Sequence, residues 1–288
     1  MIDFKEYEKA YLEYLDIDTR TINNYKNGID CFLDYLQDND IKKPCRDDLR
    51  AFKRSKVSEY SVGTLNYYLT AIRGFFGYLN KNNVYDDISE DITNLKTSGN
   101  LKKQSLTLEQ AKEIYKNLKD DRQKAFFSLA ITTGLRGQEI AEAKIEDIKK
   151  YNGDYVLFIK GKNRNDKSEY VKLAKNVLKD INKYIGTRKE GYIFISNSNH
   201  NRNGGITTKT LRLEIKNIFK ANGIEENDFS LHSLRRTFAT ISYANGGDIY
   251  SICQVLHHKS LITTQKYISQ ETRNSNMLEY QISDKIFN

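Results

Sequence analysis

The chain has 288 residues, which is enough for more than one hydrophobic core, since single cores stop growing near roughly 250–300 residues. Its 39% hydrophobic and 29% charged residues are typical of a soluble globular protein, and the net charge of +8 favours a polyanionic partner. Three scattered cysteines, an opening segment without the apolar run of a signal peptide, and no stretch able to cross a membrane predict a cytoplasmic protein without a disulfide framework.

The first part of the chain predicts a bundle of about four helices. Apolar residues recur with helical period in the segments 22–36 and 65–79. Pro44 is the only proline of the chain, so almost nothing interrupts these helices. The first hundred residues carry 14 basic and 17 acidic side chains, but seven basic residues gather between positions 42 and 56. We therefore predict an all-α domain over residues 1–97 that contains a local basic patch.

A polar stretch separates this domain from the rest of the chain. Residues 98–106 are rich in glycine, serine and lysine and lack an apolar period, which is typical of a linker. The segment from Thr107 to Gln110 has the form of a helix capping box, so a second domain is predicted over 107–288. The chain beyond residue 100 holds 32 basic against 21 acidic residues, and this part should therefore attract a polyanion.

The sequence of the second domain predicts helices around a small antiparallel sheet. Residues 107–147 follow a helical pattern. The apolar runs 155–159 and 170–173 predict two strands of a hairpin around the charged loop 160–168, and 192–195 predicts a further short strand. Helices are predicted for most of the remainder. The predicted fold class is thus mainly α with a small antiparallel β-sheet, made of an all-α N-terminal bundle and a mixed α+β second domain.

Two arginines stand in positions suited to holding a phosphate, because a guanidinium group matches phosphate oxygens bidentately. Arg136 follows a predicted break between helices, where Gly134 permits a tight turn, and Glu139 lies near enough to hold its guanidinium. His232 and Arg235 share one helical face. Each pattern alone has an ordinary alternative, which is a surface ion pair for the first and a capping or half-buried histidine for the second.

A histidine pair and a tyrosine follow near the end of the chain. Tyr267 stands nine residues after His258, and a tyrosine oxygen can act as a covalent nucleophile if neighbouring groups take its proton. His257 and His258 point in different directions on a helix, and no carboxylate or thiol at matching spacing completes a ligand set, so no metal site is predicted. As one of 20 tyrosines, Tyr267 stands out only by its position.

Together these motifs resemble the tyrosine recombinase (integrase) family, which includes phage integrases, Xer-type resolvases and Cre-like enzymes. That family carries a Thr-Gly-Leu-Arg box, a lysine in a β-hairpin, a His-x-Leu-Arg box, a Leu-Gly-His box and a tyrosine nine residues beyond that histidine. The matching positions here are Thr133–Arg136, the loop 160–168, His232–Arg235, Leu256–His258 and Tyr267. Two places depart from the family's pattern. His257 stands where the family usually has glycine, in the turn that holds His258, and Asp86-Asp87 falls where many relatives carry Asn-Pro.

The resemblance implies a role for each matched residue. Arg136 and Arg235 would clamp the scissile phosphate and neutralise the transition state. Tyr267 would be the nucleophile that forms a 3′-phosphotyrosyl link and frees a 5′-hydroxyl. His232 and His258 would transfer protons and hydrogen-bond the phosphate. No cofactor and no metal are implied, because the covalent link preserves the free energy of the phosphodiester for rejoining.

A hairpin lysine is implied to protonate the leaving oxygen. The family's usual Gly-Lys pair falls on Gly161 and Lys162, which makes Lys162 the first choice, with Lys160 and Lys167 as alternatives. A loop rich in lysine and asparagine is otherwise an ordinary solvated turn.

The resemblance covers about residues 5–270, and its first part is similar to the family's core-binding (SAM-like) DNA-binding domain. In that domain the candidate DNA contacts are Lys53, Arg54, Lys56 and Arg73, although a solvated helix face explains any one of them equally well. No arm-binding domain is expected before it. The segment 274–288 contains apolar residues and either packs on its own domain or, as is usual in the family, docks on a neighbouring subunit as an exchange tail.

The function that the resemblance implies is that of a site-specific recombinase acting on double-stranded DNA through a Holliday junction. We expect a monomer when free, a dimer on each site and a homotetramer on synapsed DNA. Integration, excision, inversion and resolution all fit this chemistry, whether a mobile element or a housekeeping system encodes the protein. Two alternatives are a type IB topoisomerase-like nicking and resealing enzyme and a non-cutting DNA-binding accessory protein.

Overall fold

The computed structural model describes residues 2–96, 104–161, 166–197, 204–225, 228–275 and residue 283. The chain divides into two compact units, Met1–Asn100 and Leu101–Asn288, and each has its own hydrophobic core. The described residues include no helix that is both long and apolar enough to cross a membrane.

The N-terminal unit is a bundle of four helices, as predicted. They are α1 (Phe4–Tyr14), α2 (Thr19–Asp38), α3 (Arg46–Lys56) and α4 (Val62–Lys81). Asp3, Asp18 and Ser61 cap the first, second and fourth of these helices by accepting backbone N–H groups. The two long helices approach closely at Gly28, where a Cβ atom would lie 2.9 Å from Tyr68 Cα. Fully buried phenylalanine rings from α2, α3 and α4 fill the core between the helices.

The second unit has eight helices in its described part. They are α5 (Leu108–Asn117), α6 (Asp121–Thr133), α7 (Gly137–Glu142), α8 (Lys175–Ile185), α9 (Thr208–Ala221), α10 (Leu231–Ala244), α11 (Ile249–Val255) and α12 (Leu261–Ser275). The predicted capping box at the start of α5 is confirmed, since Thr107 and Gln110 bond to each other's backbone N–H groups. Seven of the 13 residues of α6 are buried, and the helix packs against α8 and α10.

The sheet of this unit has three antiparallel strands in the order β1 (Ile148–Tyr151), β2 (Asp154–Ile159) and β3 (Glu169–Lys172). The predicted hairpin is present as β2 and β3, and the fold class is confirmed. Strand β1 escaped prediction because three of its four residues are exposed and carry no apolar alternation. The predicted strand over 192–195 is wrong: this segment makes only isolated bridges, and its adjacent residues Ile193 and Phe194 are both buried, unlike the alternating faces of a strand.

Candidate active site

The turn after α6 places Arg136 at the start of α7. Gly134 ends α6 with a left-handed φ of 64°, and its N–H donates to the carbonyl oxygen of Ala130 at 3.1 Å. A Cβ atom here would lie 2.5 Å from Leu256 Cδ2 and 3.0 Å from Phe238 Cδ1, so both the backbone angle and the packing call for glycine. The backbone therefore turns sharply, and the N-terminal end of α7 lies at a cavity.

Glu139 holds Arg136 from two sides. The Arg136 backbone N–H donates to Glu139 Oε2 at 2.6 Å, and its Nη1 donates to Oε1 of the same carboxylate at 2.5 Å. Its Nη2 donates to the carbonyl oxygen of His257 at 3.2 Å. Glu139 is buried, with 7% of its surface exposed, so the contact is not the surface ion pair that was the ordinary alternative. The supporting role predicted for Glu139 has a geometry that fits it.

Arg235 is the most buried of the predicted site residues, with 2% of its surface exposed. Its Nη1 donates to the carbonyl oxygen of Gly134 at 2.7 Å, and its Nη2 donates to that of Leu256. Burial and the nearby charge of Arg136 lower the pKa of Arg235 to about 10. Among the described residues its buried Nε has no hydrogen-bond partner. An unpaired donor on a buried cation is costly, and an anion entering the cavity would satisfy it.

Tyr267 lies in the same cavity and is 7% exposed. Its hydroxyl oxygen is 2.6 Å from His232 Nε2. The rings of His232 and His258 stand edge-on to the phenol at centroid distances of 5.5 Å and 5.4 Å, and the Arg236 guanidinium lies 5.9 Å from its centroid. The phenol is thus fixed by aromatic and cationic neighbours, with its oxygen in contact with an imidazole.

Both histidines are held in their neutral form at neutral pH. Loss of solvent around the imidazole, followed by the charges of Arg235, Arg236 and Arg136, lowers the pKa of His232 to about 4, although the residue as a whole is exposed at the cavity wall. Burial and the same kind of charges lower the pKa of His258 to about 3. In the neutral state, the tautomer with its proton on Nδ1 leaves His232 Nε2 able to accept a hydrogen bond from the phenol, and His258 uses Nδ1 for a 2.8 Å hydrogen bond with the buried Thr264 hydroxyl.

One cavity of about 550 Å³ collects these groups. Its lining residues are Arg136, Glu169, His232, Arg235, His257, His258, Lys259, Ser260, Thr263 and Tyr267. Five of the six predicted catalytic residues therefore meet at one place, although they are spread over 132 positions of the sequence. The described residues include no cluster of three or more histidine, cysteine or acidic side chains placed to hold a metal. The cavity is instead cationic, and it suits a phosphate anion.

The sixth residue, Lys162, lies outside the described residues. Of its two alternatives, Lys160 is exposed at the end of β2, and the Lys167 ammonium pairs with Asp147 in the short 3-10 turn Ile145–Asp147. That ion pair holds Lys167 at the side of the hairpin. The choice of Lys162 stays a prediction.

The candidate DNA contacts of the N-terminal unit differ in how they are engaged. Lys53 Nζ donates to the carbonyl oxygen of Thr93 at 2.6 Å, and Arg73 Nη1 donates to that of Ile92 at 2.8 Å. Lys56 pairs with Glu59 at 2.7 Å, and Arg54 is exposed. Lys53 and Arg73 therefore already brace the segment after α4, whereas Arg54 stands open to solvent.

Three contributors to the site were missed at the level of sequence. Thr264 bonds His258, Arg236 lies against the Tyr267 ring, and Glu169 forms part of the cavity wall. Arg236 follows Arg235 directly on α10, and no helical spacing singled it out, because adjacent residues of a helix point in different directions. No local pattern brings Glu169 to this cavity, since the sheet and the C-terminal helices meet only in three dimensions.

The chain matches two family models. Residues 104–274 match the phage integrase family, and residues 9–83 match the phage integrase N-terminal SAM-like domain. Among curated proteins, the tyrosine recombinase XerA of Pyrococcus horikoshii is 29% identical over 270 residues, which cover 92% of this chain and 89% of that protein.

Solved structures share the fold. The XerH site-specific recombinase bound to palindromic difH substrate, in a post-cleavage complex, superposes with a TM-score of 0.72 at 22% identity, covering 98% of this chain and 84% of that one. A lambda integrase dimer bound to a COC′ core site gives a TM-score of 0.72 at 17% identity, covering 90% of this chain and 95% of that one.

Proposed function

The chain belongs to the phage integrase family of tyrosine recombinases, and from this premise we propose that it is a site-specific recombinase that cuts and rejoins double-stranded DNA through a 3′-phosphotyrosyl intermediate. The observation that carries the proposal is the contact of 2.6 Å between the Tyr267 hydroxyl and His232 Nε2, in one cavity with two guanidinium groups. Nucleophile, proton acceptor and charge-neutralising groups are present together.

In the proposed reaction, the scissile phosphate binds between Arg136 and Arg235. The free Nε–H of Arg235 supplies one donor to a non-bridging oxygen, while its two Nη groups stay bound to main-chain carbonyls. The Tyr267 oxygen attacks phosphorus and its proton passes to His232. Burial and the charges of Arg235, Arg236 and Arg136 keep His232 neutral, and the same arginine charges favour the developing phenolate and the negative charge of the transition state.

The bond from phosphorus to the 5′ oxygen breaks as the new bond forms, and the leaving oxygen takes a proton from the hairpin lysine, for which Lys162 is the first choice. Attack by the freed 5′-hydroxyl of a partner strand on the phosphotyrosine then rejoins the DNA and returns the phenol. Rejoining with the second duplex gives a Holliday junction, and we propose a monomer in solution, a dimer on each site and a tetramer at synapsis.

Two experiments test this function. Selection from a random duplex pool defines the bound DNA, and a nick placed inside the selected site makes cleavage irreversible. We expect the wild-type protein to accumulate a covalent adduct and Tyr267→Phe to bind the same DNA without forming it. If the wild-type protein binds the DNA but forms no covalent adduct, the result would indicate an accessory protein and contradict the proposal.

Recombination itself is tested with plasmids that carry two copies of the selected site. Recombinant circles are expected from wild-type protein and none from Tyr267→Phe. Relaxation of supercoils without recombinant products would favour the topoisomerase alternative. We expect EDTA and the omission of nucleotide to leave the cleavage rate of the wild-type protein unchanged, because every group proposed to act in cleavage is a side chain of the protein.

A further inference from the structure

His257 has an unusual backbone conformation. Its φ is 49°, in the left-handed region, which is uncommon for residues other than glycine, although asparagine, aspartate and histidine adopt it more often than most. This is the position at which the sequence departs from the glycine usual in the family. A strained residue at a functional site suggests that the side chain contributes something that glycine would not.

Two contacts show what this side chain and its backbone do. The carbonyl oxygen of His257 accepts the Arg136 Nη2–H at 3.2 Å. Its ring Nδ1 lies 3.5 Å from Glu169 Oε2, and the two side chains are only 15% and 24% exposed. Within the described part of the chain, that buried carboxylate oxygen has no hydrogen-bond partner, and a small movement of the His257 ring would supply one.

Glu169 stands at a critical place in the sheet. It is the first residue of β3 and pairs with Ile159, the last residue of β2. This pair closes the hairpin next to the loop 160–168, which carries the three candidate lysines. A restraint on Glu169 is therefore a restraint on the base of that loop.

We propose that His257 and Glu169 form a positioning contact that ties the base of the lysine hairpin to the turn holding Arg136 and His258. The inference rests on the proposed function in one respect, that a hairpin lysine protonates the leaving oxygen. His257 is a positioning residue. Its carbonyl oxygen binds the Arg136 guanidinium, and its ring restrains Glu169 at the base of the hairpin.

The charges around the ring fit a neutral imidazole that donates to the carboxylate. Burial is the leading cause that lowers the pKa of His257. The negative charges of Glu169 and Glu139 raise this pKa, whereas the positive charges of Arg136 and Arg235 lower it. In the tautomer that carries its proton on Nδ1, the ring presents a donor 3.5 Å from Glu169 Oε2 and adds no net charge beside the phosphate pocket.

The test separates positioning from general damage by changing the leaving group. His257→Asn keeps a residue suited to the left-handed backbone but removes the ring, and Glu169→Ala removes the carboxylate. On a nicked duplex with an ordinary phosphodiester we expect single-turnover cleavage about tenfold slower for each, with DNA affinity unchanged and the double variant no slower than the singles. Glu169→Gln, which keeps an acceptor oxygen, should recover most of the rate.

On a duplex with a 5′-bridging phosphorothiolate, the same variants should cleave at the wild-type rate, because a thiolate leaves without needing a proton donor. Asp154→Ala is the matched control, since Asp154 pairs with Lys172 at 2.6 Å at the opposite, exposed end of the same hairpin. It should leave both rates at wild-type values. The proposal would be overturned if His257→Asn and Glu169→Ala slowed cleavage of the phosphorothiolate as much as cleavage of the phosphodiester. It would also be overturned if the rate loss of the double variant were the product of the two single losses.

A measurement without catalysis keeps this inference distinct from the proposed function. Hydrogen exchange of the DNA-free protein should show faster deuterium uptake by peptides spanning β2 and β3 in both His257→Asn and Glu169→Ala. Uptake equal to that of wild-type protein would refute the contact even if the enzyme cleaves DNA. Failure of the wild-type protein to form any adduct would instead contradict the proposed function. Hydrogen exchange would then be the measurement that tests the contact between His257 and Glu169.

Discussion

Replacing Gly134 by alanine tests whether the turn after α6 sets the geometry of both arginines. The left-handed φ of 64° costs an alanine about 1 kcal/mol relative to glycine. The new Cβ would also stand 2.5 Å from Leu256 Cδ2 and 3.0 Å from Phe238 Cδ1, and overpacking of this kind costs about 1–3 kcal/mol. We therefore expect the free energy of unfolding of the second unit to fall by about 2–4 kcal/mol.

The same substitution should impair cleavage beyond its effect on stability. Gly134 and Leu256 supply the two carbonyl oxygens that hold Arg235, so pushing Leu256 away loosens the guanidinium at both ends. A misplacement near 1 Å can cost about 100-fold, and single-turnover cleavage on a nicked duplex should fall by about tenfold or more.

Gly223→Ala provides the matched control for this experiment. Its φ is 70°, and a Cβ atom there would meet no heavy atom within 4 Å, so it carries the backbone cost without the clash. Denaturant unfolding should show a loss of about 1 kcal/mol for Gly223→Ala, with cleavage unchanged. Equal losses of stability in the two variants, or a normal cleavage rate in Gly134→Ala, would refute the reasoning.

Three further outcomes follow from the site and the tail. Arg235→Lys, which cannot span both carbonyls and still offer an Nε–H, should bind DNA but cleave about 100-fold more slowly; a rate within about threefold of wild type would contradict the clamp. The pKa values of His232 and His258 are about 4 and about 3 in the folded protein, below the unfolded value of about 6.5, so their protonation favours unfolding. The free energy of unfolding should therefore be highest above pH 6.5 and fall as the pH drops toward 4. Over the pH range in which the protein stays folded, the cleavage rate should show no titration step near pH 6.5, and His232→Gln should not change the shape of the pH profile there. Deleting 276–288 should leave cleavage of a single nicked site intact but abolish recombinant products between two sites in a gel assay, and unchanged recombination would exclude an exchange tail.

Much of the fold and site followed from local patterns. The helical periods gave the bundle, and the apolar runs gave β2 and β3 to within one residue. Arg136, Arg235 and Tyr267 stood out because their motifs, taken together, resemble those of the tyrosine recombinase family. Local geometry, such as the single turn that separates His232 from Arg235, can be derived from sequence.

The remainder depends on contacts between distant segments. Strand β1 is mostly exposed and forms because it pairs with β2, and the apolar run at 192–195 serves the core without entering the sheet. His257 appeared at first only as a departure from a family pattern. Its relation to Glu169, 88 positions earlier, becomes visible only when the hairpin and the C-terminal turn share one cavity wall.

The phenol of Tyr267 touches His232 of the same polypeptide. Under the proposed mechanism, each subunit then brings a whole set of reactive groups and borrows no nucleophile from its neighbours. In an assembly that mixes wild-type subunits with Tyr267→Phe subunits, a strand should break only where a wild-type subunit occupies it. A mixture of Tyr267→Phe with Arg235→Lys subunits should likewise gain no activity over either alone, because neither defect can be repaired from outside.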